Sequence, residues 1–239
     1  MVAYAQTTVT NIRTTMLQYF TIYTIAELAC FFIALICLIN DKDFNWRMMI
    51  LFMLVTCMVE MGAIPLKAVY RHNPIPANSS AWIYNILLVI QISAFSFMFY
   101  NLLNKYTRSK PLIIGGLALL LVIYIYDLFT FPAGVFNYNA DTYSVMSVLF
   151  IFYSLYYYYL LISAEEYADI KTHADFWWVT GTLFFFFGST ACNLFYNMLT
   201  KVSPGNTVYL THIGNVLIII LYGCWSYSFI CKRWITSNK

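Results

Sequence analysis

The sequence predicts an all-α membrane protein, a seven-transmembrane-helix bundle that forms a single domain over residues 1–239. Two observations support this fold class. The composition is 62% hydrophobic and only 10% charged, whereas a soluble domain carries roughly 25% charged residues. The chain also divides into seven unbroken apolar stretches, each near the roughly 20 helical residues that cross a bilayer.

The seven stretches follow one another with short polar connections between them. The predicted helices cover about 17–39, 46–68, 81–103, 111–131, 142–163, 176–198 and 208–230. Backbone groups in lipid must be hydrogen-bonded internally, which favours helices over these stretches. Residues 1–16 lack the basic segment that opens a signal peptide, so we expect the first helix to be retained.

Proline and glycine mark several of the helix boundaries. Pro74 follows the second stretch, and Pro111 opens the fourth, where a missing N–H group costs little. Pro132 and Gly134 end the fourth stretch, and Pro204 begins a turn before the seventh. These residues predict connections that are too short to form a separate soluble domain.

The basic residues predict the orientation, with the N-terminus outside and the C-terminus in the cytoplasm. In this orientation nine basic residues lie inside: Lys42, Arg47, Lys105, Arg108, Lys110, Lys171, Lys232, Arg233 and Lys239. Four lie outside: Arg13, Lys67, Arg71 and Lys201. Cytoplasmic loops carry the excess of Lys and Arg, so the split of nine to four favours this topology.

Polar side chains inside the apolar stretches are the candidate functional residues. A charged group near the bilayer centre costs at least about 2.5–3.5 kcal/mol, so such residues face the bundle and find partners. Counted from the helix midpoints, Glu60 lies roughly 4–5 Å to the outer side, and four further residues lie roughly 9–11 Å to that side. Those four are Asn85, Asp127, Asn193 and His212.

The similar depth predicts a polar pocket in the outer half of the bundle. Asn215 lies three residues from His212 and therefore on the same face of the seventh helix. The predicted ligand-binding residues are Glu60, Asn85, Asp127, Asn193, His212 and Asn215. Glu27 lies almost at the bilayer centre and is a second buried site. The alternative is that these groups hydrogen-bond between helices and only fix the packing.

Several chemistries lack the residues that they require, so we predict no cofactor and no metal. Residues 208–230 contain no lysine for a retinal Schiff base. His212 is the only embedded histidine, which excludes a three-histidine zinc site. A nucleophile motif of the GxSxG type is absent. The net charge of +3 is too small to indicate nucleic-acid binding.

Four short motifs stand out in the predicted helices. They are MLVTCMVEMGAIP in the second helix, SAWIYNILLVIQ opening the third, DFWWVTGTLFFFFGS opening the sixth and THIGNVL opening the seventh. These motifs resemble those of a group of small uncharacterised seven-transmembrane-helix proteins of Bacteroidota-type bacteria. The positions matched to the group are Glu60, Asn85, Phe176, Trp177, Gly181, His212 and Asn215. The resemblance implies the bacterial inner membrane and a sensory role beside a sensor histidine kinase, which would be the protein partner.

Three functions are compatible with these residues. The sequence favours a non-enzymatic receptor or sensor whose outer pocket binds a small ligand and signals to a partner protein at the inner face. The first alternative is a small-solute or proton-coupled transporter, with Glu27 as the deep carboxyl group and Glu60 as the outer gate. The second is a membrane-embedded lipid-modifying enzyme that uses Asp127 and His212 as an acid–base pair.

Overall fold

The computed structural model describes residues 21–72, 75, 79–130, 136–164, 171–202 and 207–237, without the side chains of 71–72, 193–202, 207–211 and 235–237. These residues form seven α-helices and no strand, which confirms the predicted all-helical architecture. The helices are α1 (Ile22–Leu38), α2 (Phe44–His72), α3 (Ala81–Leu103), α4 (Lys110–Thr130), α5 (Ala140–Ser163), α6 (Ala174–Val202) and α7 (Thr207–Ser237).

Five helical segments are long and apolar enough to cross a membrane. They are Phe44–Tyr70, Ala81–Leu103, Lys110–Thr130, Ala140–Ser163 and His212–Trp234. Large apolar side chains also cover the outside of the bundle, including Phe129 at 86% exposure and Ile162 at 78%. An apolar exterior of this kind suits lipid rather than water, so these helices belong to an integral membrane protein.

Six of the helices close a ring, and α4 lies outside it. Helix α2 packs between α1 and α3, while α7 packs between α1 and α6. Helix α5 completes the ring by packing against α3 and α6. Helix α4 packs only at the edge, against α3 and α5, and buries the single stripe Ile113, Gly116, Leu120 and Asp127.

Glycines allow two of these helix pairs to approach closely. A Cβ atom at Gly116 of α4 would lie 2.0 Å from the hydroxyl oxygen of Tyr153 on α5. A Cβ atom at Gly181 of α6 would lie 2.8 Å from Cβ of Cys224 on α7. Both distances are too short for a Cβ atom, so a larger residue at either position would force its neighbour to shift, and glycine allows the close packing.

The bundle has two different ends. The α1–α2, α3–α4 and α5–α6 connections lie at one end, where ion pairs join Lys105 to Asp175 and Lys232 to Asp43, the second at 3.3 Å. We call this the ion-pair end. The C-terminal ends of α2, α4 and α6 and the N-terminal ends of α3, α5 and α7 lie at the opposite end. We call it the cavity end, after the cavity described below.

Aromatic rings fill the middle of the bundle. Phe95 of α3 is at the centre, with its ring centroid 5.3–5.8 Å from the rings of five residues on α2, α5, α6 and α7, namely Phe52, Phe150, Trp178, Phe186 and Trp225. The indole rings of Trp178 and Trp225 stack at 5.8 Å. The Trp225 indole N–H donates to the Trp178 carbonyl oxygen at 3.2 Å, which satisfies its polar atom in the apolar core.

Candidate functional site

A cavity of about 170 Å³ lies inside the ring, on the cavity-end side of the aromatic core. Helices α1, α2, α3, α6 and α7 all contribute to its wall. The lining residues are Tyr23, Glu27, Phe52, Thr56, Glu60, Leu87, Gln91, Phe95, Phe185, Ile218, Leu221, Tyr222 and Trp225. We refer to this space as the central cavity.

The central cavity has an aromatic floor and a mixed polar and apolar wall. Phe52, Phe95 and Trp225 belong both to the lining and to the aromatic core, so the core closes the cavity toward the ion-pair end. Toward the cavity end, α2, α3 and α7 continue the wall with residues one to two turns along each helix, and α1 and α6 complete it. The polar groups of this wall include two carboxyl groups, Glu27 and Glu60, and the amide of Gln91.

Glu60 is held by two partners. The Tyr84 hydroxyl donates to its Oε1 atom at 2.9 Å, and Lys67 Nζ lies 3.5 Å from its Oε2 atom. Lys67 Nζ also donates to the Tyr84 hydroxyl oxygen at 2.5 Å. Glu60 and Lys67 are seven residues apart, which is two turns along the same face of α2. The charge of Glu60 is therefore compensated by its own helix.

Glu27 is in a different situation, although it lines the same cavity. It is 3% exposed, and its Oε1 atom has no hydrogen-bond partner among the described residues. The Cys57 thiol and the Tyr222 hydroxyl face the carboxyl group and can donate to it. Across the described part of the chain, no lysine, arginine or histidine forms an ion pair with Glu27.

The central cavity therefore contains two acidic groups and one nearby lysine. Lys67 forms its ion pair with Glu60, and the Glu27 carboxyl group has no ion pair of its own with any described residue. A buried carboxylate without a partner is strongly unfavourable, so such a group takes up a proton or a positively charged ligand. This arrangement makes the cavity a candidate binding site.

Asn85 lies outside the central cavity and connects α3 to the segment before α5. It is 2% exposed. Its Nδ2 atom donates to the Asn137 carbonyl oxygen at 2.7 Å, and its Oδ1 atom accepts from the Asn139 backbone N–H at 3.1 Å. Both ends of the amide are thereby used within the protein.

Asp127 of α4 hydrogen-bonds to the first turn of α5. It is fully buried, and its Oδ2 atom accepts from the Thr142 backbone N–H at 2.9 Å and from the Thr142 hydroxyl at 2.7 Å. The residue before the helix, Asn139, makes no side-chain cap bond. Asp127, which lies on α4, therefore supplies the hydrogen-bond acceptor and the negative charge that stabilise the N-terminus of α5.

The remaining predicted residues lie on α6 and α7. His212 is exposed and Asn215 is half-buried, and neither lines the central cavity. The side chain of Asn193 lies outside the described residues. Of the six predicted ligand-binding residues, the structure brings Glu60 to the central cavity, together with the second-site residue Glu27. Asn85 and Asp127 instead meet near the start of α5.

Sequence reasoning did not single out Lys67, Tyr84, Cys57 and Tyr222 as parts of the site. The spacing of Lys67 seven residues after Glu60 was a usable signal, because it places both on one face of α2. No comparable signal existed for Tyr84 or Tyr222, since the chain contains 21 tyrosines. Within the described residues, no group of three His, Cys, Asp or Glu side chains could hold a metal ion.

Comparisons with known proteins give no relative for this chain. No family model matches it, and no curated protein or solved structure matches it either.

Proposed function

We propose that the chain is a membrane receptor of the sensor type, whose central cavity binds a small ligand. The observation that carries this proposal is the sharing of one cavity by Glu27 and Glu60, from adjacent helices α1 and α2. Ligand pockets are concave and mostly apolar, with a few polar groups that orient the ligand. The central cavity has this composition, because two carboxyl groups and one amide stand among aromatic and aliphatic side chains.

The closed floor favours a receptor over a channel. Phe52, Phe95 and Trp225 are in ring-to-ring contact beneath the cavity. At the ion-pair end, Lys105–Asp175 joins α3 to α6, and Lys232–Asp43 joins α7 to the start of α2. A ligand that shifts α1 or α2 would change the packing of these rings and ion pairs, which is how occupancy would reach the opposite end.

The topology proposed for this receptor has seven membrane spans, with the N-terminus outside and the C-terminus in the cytoplasm. The central cavity would then lie in the outer half of the bilayer, and the ion-pair end would face the cytoplasm. A bacterial inner membrane and a sensor histidine kinase as partner are parts of this proposal. In this proposal the signal passes from the ion-pair end to that partner protein.

A cavity-filling substitution tests the proposal. Leu87→Phe enlarges a side chain that lines the cavity, whereas Leu117→Phe makes the same change on the exposed side of α4. Small amines, carboxylates, amides and sugars would be screened by thermal unfolding in nanodiscs. We expect at least one solute to stabilise the wild-type protein and Leu117→Phe, but not Leu87→Phe.

The second readout is amide hydrogen exchange at the ion-pair end. A stabilising solute should change exchange in the α3–α4 connection, at residues 104–109, which lies away from the cavity. An equal stabilisation of Leu87→Phe would contradict binding in the cavity. Stabilisation without any change at residues 104–109 would contradict signalling through the bundle.

A proton-coupled transporter is the second candidate, and the free Oε1 atom of Glu27 favours it. A deep carboxyl group that alternates between a proton and a substrate is a common device in carriers. In proteoliposomes, such a carrier would show proton-coupled solute flux that disappears in Glu27→Gln. A tight liposome without flux for any solute that binds would exclude this candidate.

A further inference from the structure

The charge of the cavity residues indicates what kind of ligand fits. The Glu60 carboxylate and Lys67 neutralise each other across 3.5 Å. Glu27 is more deeply buried than either, at 3% exposure, and finds no cation among the described residues. The Glu27 carboxyl group is therefore neutral only when it holds a proton. When it is ionised, a monovalent cation would balance its charge, whereas a neutral or anionic ligand would not.

The aromatic lining distinguishes between kinds of cation. Six rings face the cavity: Tyr23, Phe52, Phe95, Phe185, Tyr222 and Trp225. The faces of such rings attract alkylated ammonium groups, and cages of several rings are the usual site for them. A hard metal ion needs a shell of six or more oxygen atoms instead. Most of the cavity surface offers hydrocarbon and ring faces to a ligand, which suits an organic cation better than a metal ion.

The volume limits the size of the ligand. A cavity of about 170 Å³ is smaller than the roughly 300–1,000 Å³ of pockets that hold drug-sized ligands. An ammonium group with a few carbon atoms fits this space, whereas a peptide, a sugar chain or a lipid headgroup with its glycerol does not. The free Oε1 atom of Glu27 provides the acceptor for the charged group.

We propose that the central cavity binds a small alkylated ammonium ion, with its charge against Glu27 and its alkyl groups on the aromatic floor. This inference rests on the proposed function, because it names the ligand class of the same cavity. Glu60 has a supporting role, since it remains paired with Lys67 and Tyr84.

The direct test compares choline with its uncharged carbon analogue, 3,3-dimethylbutan-1-ol, on the full chain in nanodiscs. Binding would be followed by tryptophan fluorescence, because Trp225 lines the cavity. We expect choline to bind at least tenfold more tightly than the analogue. Glu27→Gln should reduce the affinity for choline at least tenfold and leave the affinity for the analogue unchanged.

A second pair of variants keeps the test informative if Glu27→Gln fails to fold. Phe185→Leu removes one ring from the cavity, whereas Phe184→Leu changes a neighbouring ring that is 55% exposed on the outside. We expect Phe185→Leu to weaken choline binding severalfold, with no effect of Phe184→Leu. Thermal unfolding of each variant verifies that it is folded.

Three results would contradict this inference, and they show whether the proposed function fails with it. If choline and the uncharged analogue bind equally and both are blocked by Leu87→Phe, the cavity binds ligands but not selectively cations, and only this inference fails. If sodium or potassium chloride alone displaces choline at equal concentration, the site is an inorganic cation site and the inference fails. If no solute of any charge binds, both the proposed function and this inference are wrong.

Discussion

Two buried carboxyl groups, Asp127 and Glu27, have nearly the same exposure, and each has one oxygen atom (Oδ1 of Asp127, Oε1 of Glu27) without a hydrogen-bond partner among the described residues, but the surroundings of their other oxygen atoms differ. Asp127 is fully buried and accepts two hydrogen bonds from Thr142 at the start of α5. Glu27 is 3% exposed and faces a cavity with a free Oε1 atom. The difference shows that burial of an acid in an apolar helix does not identify its role. The partners of its oxygen atoms distinguish a structural group from a binding group.

The largest effect is expected when Asp127 is removed. Asp127→Ala leaves the Thr142 backbone N–H and hydroxyl without their acceptor in a buried position. The free energy of unfolding should fall by about 2–3 kcal/mol, as measured by reversible denaturation in mixed micelles. Asp141→Ala is the control, because Asp141 is exposed in the first turn of the same helix. Equal effects of the two substitutions would mean that Asp127 does not support α5.

The α4–α5 contact near Asp127 should also be sensitive to side-chain volume. Gly116→Ala would place a methyl group 2.0 Å from the Tyr153 hydroxyl oxygen, so the tyrosine ring must move. We expect a loss of about 1–2 kcal/mol from this overpacking. The neighbouring Gly115 has open space around its Cβ position, so Gly115→Ala should be neutral or slightly stabilising. A neutral Gly116→Ala in the same denaturation assay would show that α4 is loosely attached.

On the cavity side, Tyr84→Phe is expected to have a moderate effect. It removes the hydroxyl group that donates to Glu60 and accepts from Lys67. Stability should fall by about 1 kcal/mol, because the direct pair of Glu60 and Lys67 remains. Tyr126→Phe, at a tyrosine that is 60% exposed on α4, serves as the matched control. If neither substitution changes the free energy of unfolding, the Tyr84 hydroxyl group adds no stability to the Glu60–Lys67 ion pair.

The smallest effect on stability is expected at Glu27 itself. Glu27→Gln removes a buried acid whose Oε1 atom has no partner in the described structure, so unfolding free energy should stay constant or rise by up to about 1 kcal/mol. Asp127→Asn, measured in parallel, should be destabilising. Measuring Glu27→Gln and Asp127→Asn side by side tests most directly whether the two carboxyl groups have different roles. If Glu27→Gln loses as much stability as Asp127→Asn, Glu27 is a structural residue like Asp127.

The depth of each polar residue, counted along its helix, predicted part of the way in which these residues are grouped. Asn85 and Asp127 were predicted at one level, and both hydrogen-bond to the segment 137–142. Glu60 was predicted nearer the bilayer centre, and it lies in the cavity with the still deeper Glu27. Depth follows from position along a straight helix, which a rise of 1.5 Å per residue determines. Depth alone did not show that these residues form two separate groups, because it carries no information about the rotation of each helix.

The sequence by itself determined where the helices lie and which of their residues are polar. Both properties are local, because an apolar stretch of about 20 residues must be helical to satisfy its own backbone in lipid. Helix α3, for example, covers Ala81–Leu103 as predicted. The grouping of the polar residues was decided only by the tertiary structure. It depends on the rotation of each helix, and contacts such as Gly116 with Tyr153 and the rings around Phe95 set that rotation between residues far apart in the chain.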